Sequence, residues 1–271
     1  MPREITAYSN PLIKWARDLR DKRHRKQSRQ FLAEGLRILT EARETGRLPT
    51  LLFYAKPSAG HPLVRDLIKA VEASEGEAIE TTPDILSKLS GKDNPQAVVG
   101  VFEELGVTLD ELDRNASGIW LVAERLRDPG NLGTILRTGD AVGAGGLILV
   151  GECVDPFSVE AVRASMGALF TVPIVKTEWQ PFLDWLRQGP GQLVGLSLDT
   201  DSDYRAARYA APTFLLTGNE AHGMPAEYAA ACDTLVKIPM LGKADSLNAA
   251  VATAVMAYEV LARQEKSTAS A

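Results

Sequence analysis

The sequence has few of the residues that build metal centres or disulfide scaffolds. Its 271 residues include two cysteines and three histidines. Cys153 and Cys232 lie far apart in the chain, with no Cys-x-x-Cys pair and no cysteine–histidine cluster. A zinc site would need such a cluster, and a disulfide-dense secreted domain would need more cysteines. We therefore expect two buried free thiols and no bound metal.

Long apolar runs are also missing. The first residues lack the apolar core of a signal peptide, and no stretch approaches the roughly 20 apolar residues that a membrane span requires. These absences predict a cytoplasmic protein without a membrane partner. The composition, 45% hydrophobic and 24% charged, is ordinary for a globular protein, and the length favours two domains.

The net charge of −5 gives no hint of a polyanion-binding protein, but it is unevenly distributed. Residues 1–30 hold nine basic and three acidic side chains, a net of +6, so the remainder has −11. Apolar residues at helical spacing after Asn10 and Pro11 predict a helix with one packed face. The basic residues then lie on its other face and in the following turn. They form either a phosphate-binding surface or an ordinary solvated helix face.

Helical and strand-like segments alternate along the chain, which is typical of α/β domains. Residues 103–115 are acidic and poor in hydrophobic residues, which indicates a linker at 106–116 between a first domain (1–105) and a second (117–265). The small polar residues 266–271 predict a disordered tail. Six Val-, Ile- and Leu-rich runs in the second domain predict a mostly parallel sheet covered on both faces. These runs are residues 119–123, 147–150, 172–175, 193–198, 213–217 and 235–238.

Common nucleotide-binding and esterase motifs do not fit this domain. The glycines at 139–146 lie between a helix and a strand, not after a strand, and Gly242 lacks the upstream glycine of a P-loop. No Gly-x-Ser-x-Gly elbow occurs. Three polar loops at strand ends remain: 128–138 (DPGNLGTILRT), 217–225 (TGNEAHGMP) and 238–248 (IPMLGKADSLN). Each could hold plain turn or cap residues, but ligands of open α/β sheets bind at the carboxyl ends of strands, where all three could converge.

The three loops resemble, in order, the signature motifs of the SPOUT methyltransferases, specifically the TrmH-like RNA ribose 2′-O-methyltransferases. Residues 155–170 (DPFSVEAVRASMGALF) resemble the intervening segment of that family. Ser9-Asn10-Pro11 and residues 31–35 (FLAEG) resemble its N-terminal substrate-binding domain. The resemblance implies a small N-terminal α/β RNA-binding domain and a C-terminal SPOUT domain, whose mostly parallel sheet includes a trefoil knot at roughly residues 212–265.

The resemblance also implies a chemistry and its residues. The family transfers a methyl group from S-adenosylmethionine to a ribose 2′-hydroxyl, and its cofactor contacts fall here on Gly218, Ile238 and Leu247. The reacting ribose would meet Arg137, surrounded by Asn131, Glu220, Ser246 and Asn248. Since a guanidinium is effectively always protonated, we expect Arg137 to stabilise the developing alkoxide electrostatically rather than act as a base. Glu220 would either orient Arg137 or order its own loop.

The implied partners are RNA and a second copy of the chain, with DNA not expected. The N-terminal domain favours rRNA over tRNA, and the candidate RNA-binding residues are Lys14, Arg20, Arg23, Arg25 and Arg29. Family members form homodimers in which one subunit's arginine can serve the other's cofactor. Two alternatives stay open: a tRNA 2′-O-methyltransferase, and a catalytically silent RNA-binding or ribosome-assembly factor on the same scaffold.

Overall fold

A computed structural model of the chain describes residues 3–92 and 96–269. Its contacts divide the protein into two compact units. The first comprises Met1–Leu105 together with Asp155–Thr171, and the second comprises Gly106–Val154 together with Val172–Ala271. Each unit has its own sheet and its own hydrophobic core.

Twelve strands lie within the described residues: β1 (Arg3–Ile5), β2 (Gln30–Glu34), β3 (Leu51–Ala55), β4 (Glu77–Thr81), β5 (Val98–Glu103), β6 (Gly106–Val107), β7 (Ile119–Glu124), β8 (Leu147–Val150), β9 (Ile174–Thr177), β10 (Gln192–Leu196), β11 (Thr213–Thr217) and β12 (Thr234–Val236). The α-helices are α1 (Pro11–Asp18), α2 (Lys22–Ser28), α3 (Leu36–Glu44), α4 (Pro62–Ala73), α5 (Pro83–Ser90), α6 (Pro129–Ala141), α7 (Val159–Ser165), α8 (Trp179–Arg187), α9 (Ala226–Ala231) and α10 (Ala249–Ala269). Short 3₁₀ helices cover Lys56–Ser58, Leu109–Glu111 and Ala168–Phe170.

The first unit contains a mixed five-stranded sheet in the order β1-β4-β3-β5-β2. β4 pairs in parallel with β1 and β3, whereas β5 is antiparallel to β3 and β2. The predicted helix after Asn10 is α1: the Asn10 side chain accepts a hydrogen bond from the Leu12 amide at 2.9 Å, and Pro11 occupies the first turn. Proline suits this position because its fixed φ is helical and no amide donor is lost. Ile13 and Ala16 of α1 are buried in the core.

The segment Asp155–Thr171 lies between β8 and β9 in sequence but packs with the first unit. Its helix α7 contacts β2, and the Phe157 ring lies 5.0 Å from that of Phe31. The Arg163 Nε atom donates to buried Glu34 Oε1 at 2.7 Å. The sequence pattern alone assigns this segment to the second domain, because the segment lies between two strands of that domain in the chain.

The second unit contains a seven-stranded sheet in the order β12-β10-β11-β7-β8-β9-β6. Every pairing between these strands is parallel, and β7, β8 and β11 are buried along their whole length. α10 packs against α6, β11 and β7. The Thr217 and Thr253 hydroxyls, 2.8 Å apart in the interior, link β11 to α10.

The expected α/β class is confirmed for both units, and all six predicted strand runs of the second domain appear, with ends shifted by up to two residues. The expected linker at 106–116 contains the short edge strand β6. The expected disordered tail begins inside α10, which continues to Ala269, and residues 270 and 271 lie outside the described part. The trefoil knot is a feature implied by the family, and for this chain it stays an expectation. Among the described helices, none is long and apolar enough to cross a membrane.

Candidate active site

The three polar loops follow β7, β11 and the end strand β12, at the carboxyl ends of parallel strands. β11 pairs directly with β7, and β12 is separated from β11 by β10 alone. Parallel strands direct their carboxyl ends to the same edge of a sheet. The all-parallel topology therefore brings segments that are about a hundred residues apart in sequence to one side of the second unit.

A chain of hydrogen bonds between side chains joins the three loops. The Asn131 amide nitrogen Nδ2 donates to Glu220 Oε1 at 3.1 Å. The Asn248 Nδ2 atom donates to Asn131 Oδ1 at 2.8 Å. Asn131 thus lies between the other two, with one side of its amide bound to the second loop and the other to the third. Three of the expected catalytic residues are therefore linked through Asn131.

Helix caps hold these side chains in place. Asp128 is the N-cap of α6, and its carboxylate accepts a hydrogen bond from the Asn131 backbone amide at 2.7 Å. Asn248 precedes α10, where its Oδ1 atom accepts from the amides of Ala250 at 2.9 Å and Val251 at 3.2 Å. Capping satisfies helix amides that lack an intrahelical partner. Because Asn248 caps α10 through its Oδ1 atom, its Nδ2 atom remains available to Asn131. The same side chain therefore both caps the helix and joins the third loop to the first.

Glu220 orders its loop and does not contact Arg137. Its Oε2 atom accepts a hydrogen bond from the Arg127 backbone amide at 3.3 Å, while Oε1 binds Asn131. Of the two roles expected for Glu220, the contacts support the ordering of the loop. Both carboxylate oxygens are directed at the first loop.

Arg137 lies on a different side of α6 from Asn131. Six residues separate them, which is a rotation of roughly 120° around the helix axis. Arg137 is exposed, and within residues 3–92 and 96–269 its side chain has no hydrogen bond or ion pair. The structure therefore joins Asn131, Glu220 and Asn248 but does not bring Arg137 to them within one chain.

Glu124 and Asn219, two residues that the sequence interpretation missed, hold the second loop in place by hydrogen bonds. Glu124, at the end of β7, is 2% exposed and accepts a hydrogen bond from the Asn219 amide at 3.1 Å. Asn219 Nδ2 donates to the Arg125 carbonyl at 2.8 Å, and its Oδ1 accepts from the amides of Ala221 and His222. Burial raises the pKa of Glu124, partly offset by the Asn219 amide. The sequence signal that could have indicated Glu124 is its position as a single acidic residue at the end of an apolar strand.

A cleft of about 250 Å³ lies between the second loop and residues 124–127, which join β7 to the first loop. Its lining includes the buried Glu124 and the exposed side chains of Arg125, Arg127 and His222. Arg125 has a φ of 45°, a left-handed conformation that is uncommon for a residue other than glycine. His222 contacts Asn219 through its backbone amide, so the structure gives its imidazole no catalytic contact.

Gly218 is required by the loop itself. A Cβ atom added there would lie 2.6 Å from the Gly223 carbonyl carbon and 2.6 Å from the Met224 nitrogen. Asn219 and Gly223 exchange backbone hydrogen bonds of 3.1 and 2.8 Å, which fold the loop back onto Gly218. The close contact that requires glycine at this position is therefore with the backbone of its own loop.

The third loop offers apolar surface and unpaired backbone groups. Ile238 is half-buried, Leu247 is 37% exposed, and Leu241 is 99% exposed. Among the described residues, no backbone amide or carbonyl of residues 238–247 hydrogen bonds to the protein. An adenine ring needs both flat apolar contact and backbone-type hydrogen-bond partners, so this loop fits the adenosyl part of S-adenosylmethionine. Ser246 is exposed, and its hydroxyl has no hydrogen bond within the described part of the chain.

The candidate RNA-binding residues of the first unit separate into two groups. Lys14, Arg20, Arg23 and Arg29 are exposed. Arg25 is 3% exposed, and its guanidinium is bound to Asp155 and to backbone carbonyls. The expectation that Arg25 binds RNA is therefore wrong, because every nitrogen of its guanidinium is already paired inside the protein. No cluster of three or more metal-ligating side chains occurs in the described ranges.

Comparison with known proteins matches both units to families. The SpoU rRNA Methylase family matches residues 118–258, and the MRM3-like substrate binding domain matches residues 10–100. An AdoMet-bound rRNA methyltransferase from Sinorhizobium meliloti is 40% identical, with a TM-score of 0.89 over 95% of this chain and 97% of that one. The structure of that relative contains bound AdoMet.

Two curated relatives also match over nearly their full length. The 23S rRNA (uridine(2479)-2′-O)-methyltransferase of Streptomyces viridochromogenes is 34% identical over 96% of this chain and 92% of its own. The 23S rRNA (guanosine(2553)-2′-O)-methyltransferase of Bacillus subtilis is 26% identical over 95% of this chain and 99% of its own. The chain therefore belongs to the SpoU rRNA Methylase family, with an MRM3-like substrate-binding domain preceding the methyltransferase domain.

Proposed function

We propose that this chain transfers the methyl group of S-adenosylmethionine to a ribose 2′-hydroxyl of 23S rRNA. The observation that carries the proposal is the hydrogen-bonded chain Glu220–Asn131–Asn248, which joins three family motifs at one edge of a parallel sheet. Both full-length curated relatives are 23S rRNA 2′-O-methyltransferases, one acting on a uridine and one on a guanosine. The proposal places the enzyme in the cytoplasm, where bacterial rRNA is made and modified.

The second unit supplies groups that orient the reactants. When bound, S-adenosylmethionine supplies a methyl group on a positively charged sulfur, which an attacking oxygen can displace. Residues 238–247 and the loop after Gly218 would hold the cofactor by backbone groups and by the side chains of Ile238 and Leu247. Asn131, Ser246 and Asn248 present neutral donors and acceptors for the ribose hydroxyls. Holding the hydroxyl in line with the methyl group lowers the entropic part of the barrier.

Arg137 provides the positive charge for the reaction. Its guanidinium stays protonated, so it favours loss of the 2′-hydroxyl proton to solvent by stabilising negative charge on the oxygen, and it can hold a neighbouring phosphate. An arginine that is exposed and unpaired within the described chain is free to take an RNA partner. Glu220 acts indirectly, by fixing Asn131 and the Arg127 backbone.

The active enzyme is proposed to be a homodimer. Val251 and Tyr258 are 47% and 53% exposed, and seven residues of α-helix place them on the same side of α10, with Leu247 just before the helix. Helix surfaces that face water are normally polar, so an exposed apolar stripe suits a protein contact. Since Arg137 lies away from Asn131, a second subunit could provide it to the loops of the first.

Mixed dimers test this arrangement. Arg137→Ala and Asn131→Ala subunits are each expected to be inactive alone. If arginine is provided by the partner subunit, a mixed dimer has one site with both residues intact, and activity returns on mixing. No recovery, with exchange verified by mass spectrometry, would place Arg137 and Asn131 in the same subunit's site.

RNA capture is proposed for the exposed cations of the first unit. Lys14, Arg20, Arg23 and Arg29, together with Lys22 and Lys26, supply positive charge that attracts phosphates. This unit matches a substrate-binding domain, which supports the same role.

The decisive experiment maps ribose methylation in RNA from a strain lacking the protein and from its parent. One 2′-O-methyl group missing from 23S rRNA, and restored by wild-type protein but not by Arg137→Ala, is the expected result. A missing methyl group in tRNA instead would establish the tRNA alternative. Unchanged methylation of all rRNA and tRNA, with tight RNA binding retained, would favour the silent assembly factor.

A further inference from the structure

The basic helix α2 has no apolar side chain with which to pack. Its sequence, KRHRKQS, consists of basic and polar residues, and Arg25 is its one buried member. Helices of globular proteins are normally held by an apolar stripe. Something other than hydrophobic packing must therefore hold α2 on the first unit.

The Arg25 guanidinium makes that attachment. Its Nε and Nη2 atoms donate to Asp155 Oδ2 at 2.9 and 2.8 Å. Its Nη1 atom donates to the carbonyls of Leu19 and Arg20 at 2.9 and 2.7 Å. These carbonyls lie in the turn between α1 and α2, so one side chain joins α2, the end of α1 and Asp155. The side chains of Arg25 and Asp155 are only 4% and 10% exposed, so solvent screens the pair weakly.

Asp155 is itself held rigidly. Its Oδ1 atom accepts a hydrogen bond from the Phe157 backbone amide at 3.0 Å, which fixes the carboxylate at the start of the segment Asp155–Thr171. The Phe157 ring is buried against Phe31 of β2. The carboxylate therefore provides a fixed point for the helix, and α2 presents Lys22, Arg23 and Lys26 outward from it.

We propose that Asp155 is a positioning residue for RNA capture, which seats α2 through Arg25 so that Lys22, Arg23 and Lys26 meet RNA phosphates. The inference rests on the RNA-binding role proposed for the first unit. It assigns a function in substrate binding to a residue that lies inside the region matching the methylase family, at 118–258.

The inference can be tested by whether RNA affinity rises or falls when the negative charge of Asp155 is removed. Asp155→Asn removes a negative charge, and long-range electrostatics alone would then strengthen binding to a polyanion. The proposal predicts the opposite: weaker binding, because α2 loses its attachment. Glu77→Gln is the matched control, since it removes one negative charge from the same unit, where Glu77 forms an exposed ion pair with Arg3 at 2.9 Å. We expect it to leave RNA affinity unchanged or slightly raised.

The measurement is the affinity for transcribed 23S rRNA at several salt concentrations. The triple variant Lys22→Ala, Arg23→Ala, Lys26→Ala should weaken binding and reduce the slope of log K against log salt by about 0.7–0.9 for each phosphate that is no longer neutralised. Asp155→Asn should weaken binding and reduce that slope in the same direction. In the Asp155→Asn background, the triple change should then add little. Arg25→Lys keeps the net charge but cannot reach all three acceptors, so it should behave like Asp155→Asn.

Urea unfolding, followed through the transition of the first unit, shows whether that unit is folded in each variant under the assay conditions, and cofactor titration shows the same for the second unit. A variant whose first unit is folded but whose RNA binding is weakened supports the proposal. S-adenosylmethionine affinity, a property of the second unit, should match the wild type in every variant. Asp155→Asn with unchanged or stronger RNA binding, beside a weakened triple variant, would overturn the inference. An unaffected triple variant would overturn both the basic surface and the role of Asp155. The methylation map described above tests the enzymatic activity independently of either result.

Discussion

Arg25 of the first unit and Arg137 of the second are both helical arginines in segments rich in functional residues, but their surroundings are opposite. Arg25 is buried with every guanidinium nitrogen paired, whereas Arg137 is exposed and, within the described chain, unpaired. A fully paired guanidinium has no donor left for a ligand. A buried arginine can therefore hold other residues in a binding surface, as proposed for Arg25, while an exposed arginine can itself bind substrate.

The two units also differ in how they hold their functional groups. The first unit presents fixed charges on a short helix attached by an ion pair. The second unit places two neutral amides, Asn131 and Asn248, on loops and joins them to each other and to the Glu220 carboxylate by hydrogen bonds between side chains. Charge attracts a polyanion from a distance and depends on salt. Neutral groups close to the reacting atoms can fix geometry without cancelling the charge of an arginine.

The largest effect on stability is expected for Arg25→Ala. Removing one partner of a buried ion pair leaves Asp155 charged and buried, which costs about 3–5 kcal/mol. Urea unfolding should show this loss in the first unit's transition. Arg208→Ala, which removes an exposed arginine, is the control and should change the free energy of unfolding by less than about 0.5 kcal/mol. Equal stability of Arg25→Ala and wild type would show that the buried, paired Arg25 does not stabilise the first unit.

Arg137→Ala, in contrast, should reduce activity and leave stability unchanged. We expect methyl transfer to fall by about 10²–10³-fold, the usual cost of removing a group that stabilises a developing oxyanion. Unfolding free energy and cofactor affinity should stay at wild-type values, because the exposed side chain makes no hydrogen bond or ion pair in the described chain. Single-turnover assays with saturating cofactor measure this rate. A destabilised Arg137→Ala protein would show that the arginine has a structural role as well.

Gly218→Ala should weaken the cofactor site by an intermediate amount. The added Cβ would lie 2.6 Å from backbone atoms that cannot move separately, so the loop must shift. Such overpacking costs about 1–3 kcal/mol, which we expect to appear as reduced affinity for S-adenosylmethionine in calorimetry. Gly106→Ala, where the nearest atom would be 3.9 Å away, is the matched control within the same unit. Unchanged cofactor affinity in Gly218→Ala would separate this loop from the cofactor.

The smallest effect is expected from thiol reagents. Burial raises the pKa of Cys153 to about 11 and that of Cys232 to about 12. Both groups therefore remain protonated thiols at pH 8, with about one thiolate in a thousand or fewer, and thiolate is the reactive form. Mass spectrometry after brief treatment with iodoacetamide should find both cysteines unmodified in the native protein and alkylated in urea. Both cysteines are only partly buried, not fully buried as expected from the sequence. Rapid native labelling of either thiol would contradict the raised pKa values.

Sequence patterns predicted much of the second unit. Buried strands such as β7, β8 and β11 appear as continuous apolar runs because both faces of a parallel sheet are covered. Several elements of the first unit were less visible, since β1 has only three residues and α2 has no apolar periodicity at all. Asn131, Glu220 and Asn248 were predicted together because their segments resemble the signature motifs of one family, and each such motif is local in sequence. Glu124 and Asn219 were missed because their contact joins residues 95 positions apart.

The sequence by itself determined the α/β class, the order of the motifs and the chemistry that they imply, because apolar periodicity and motif residues are properties of short segments. Only the tertiary structure decided which arginines are free for RNA, and which unit holds the segment Asp155–Thr171. It also shows that residue 218 must be glycine because the backbone of its own loop leaves no room for a Cβ atom. Each of these outcomes depends on burial and on contacts between atoms far apart in the chain, and a local pattern has no information about what lies opposite it.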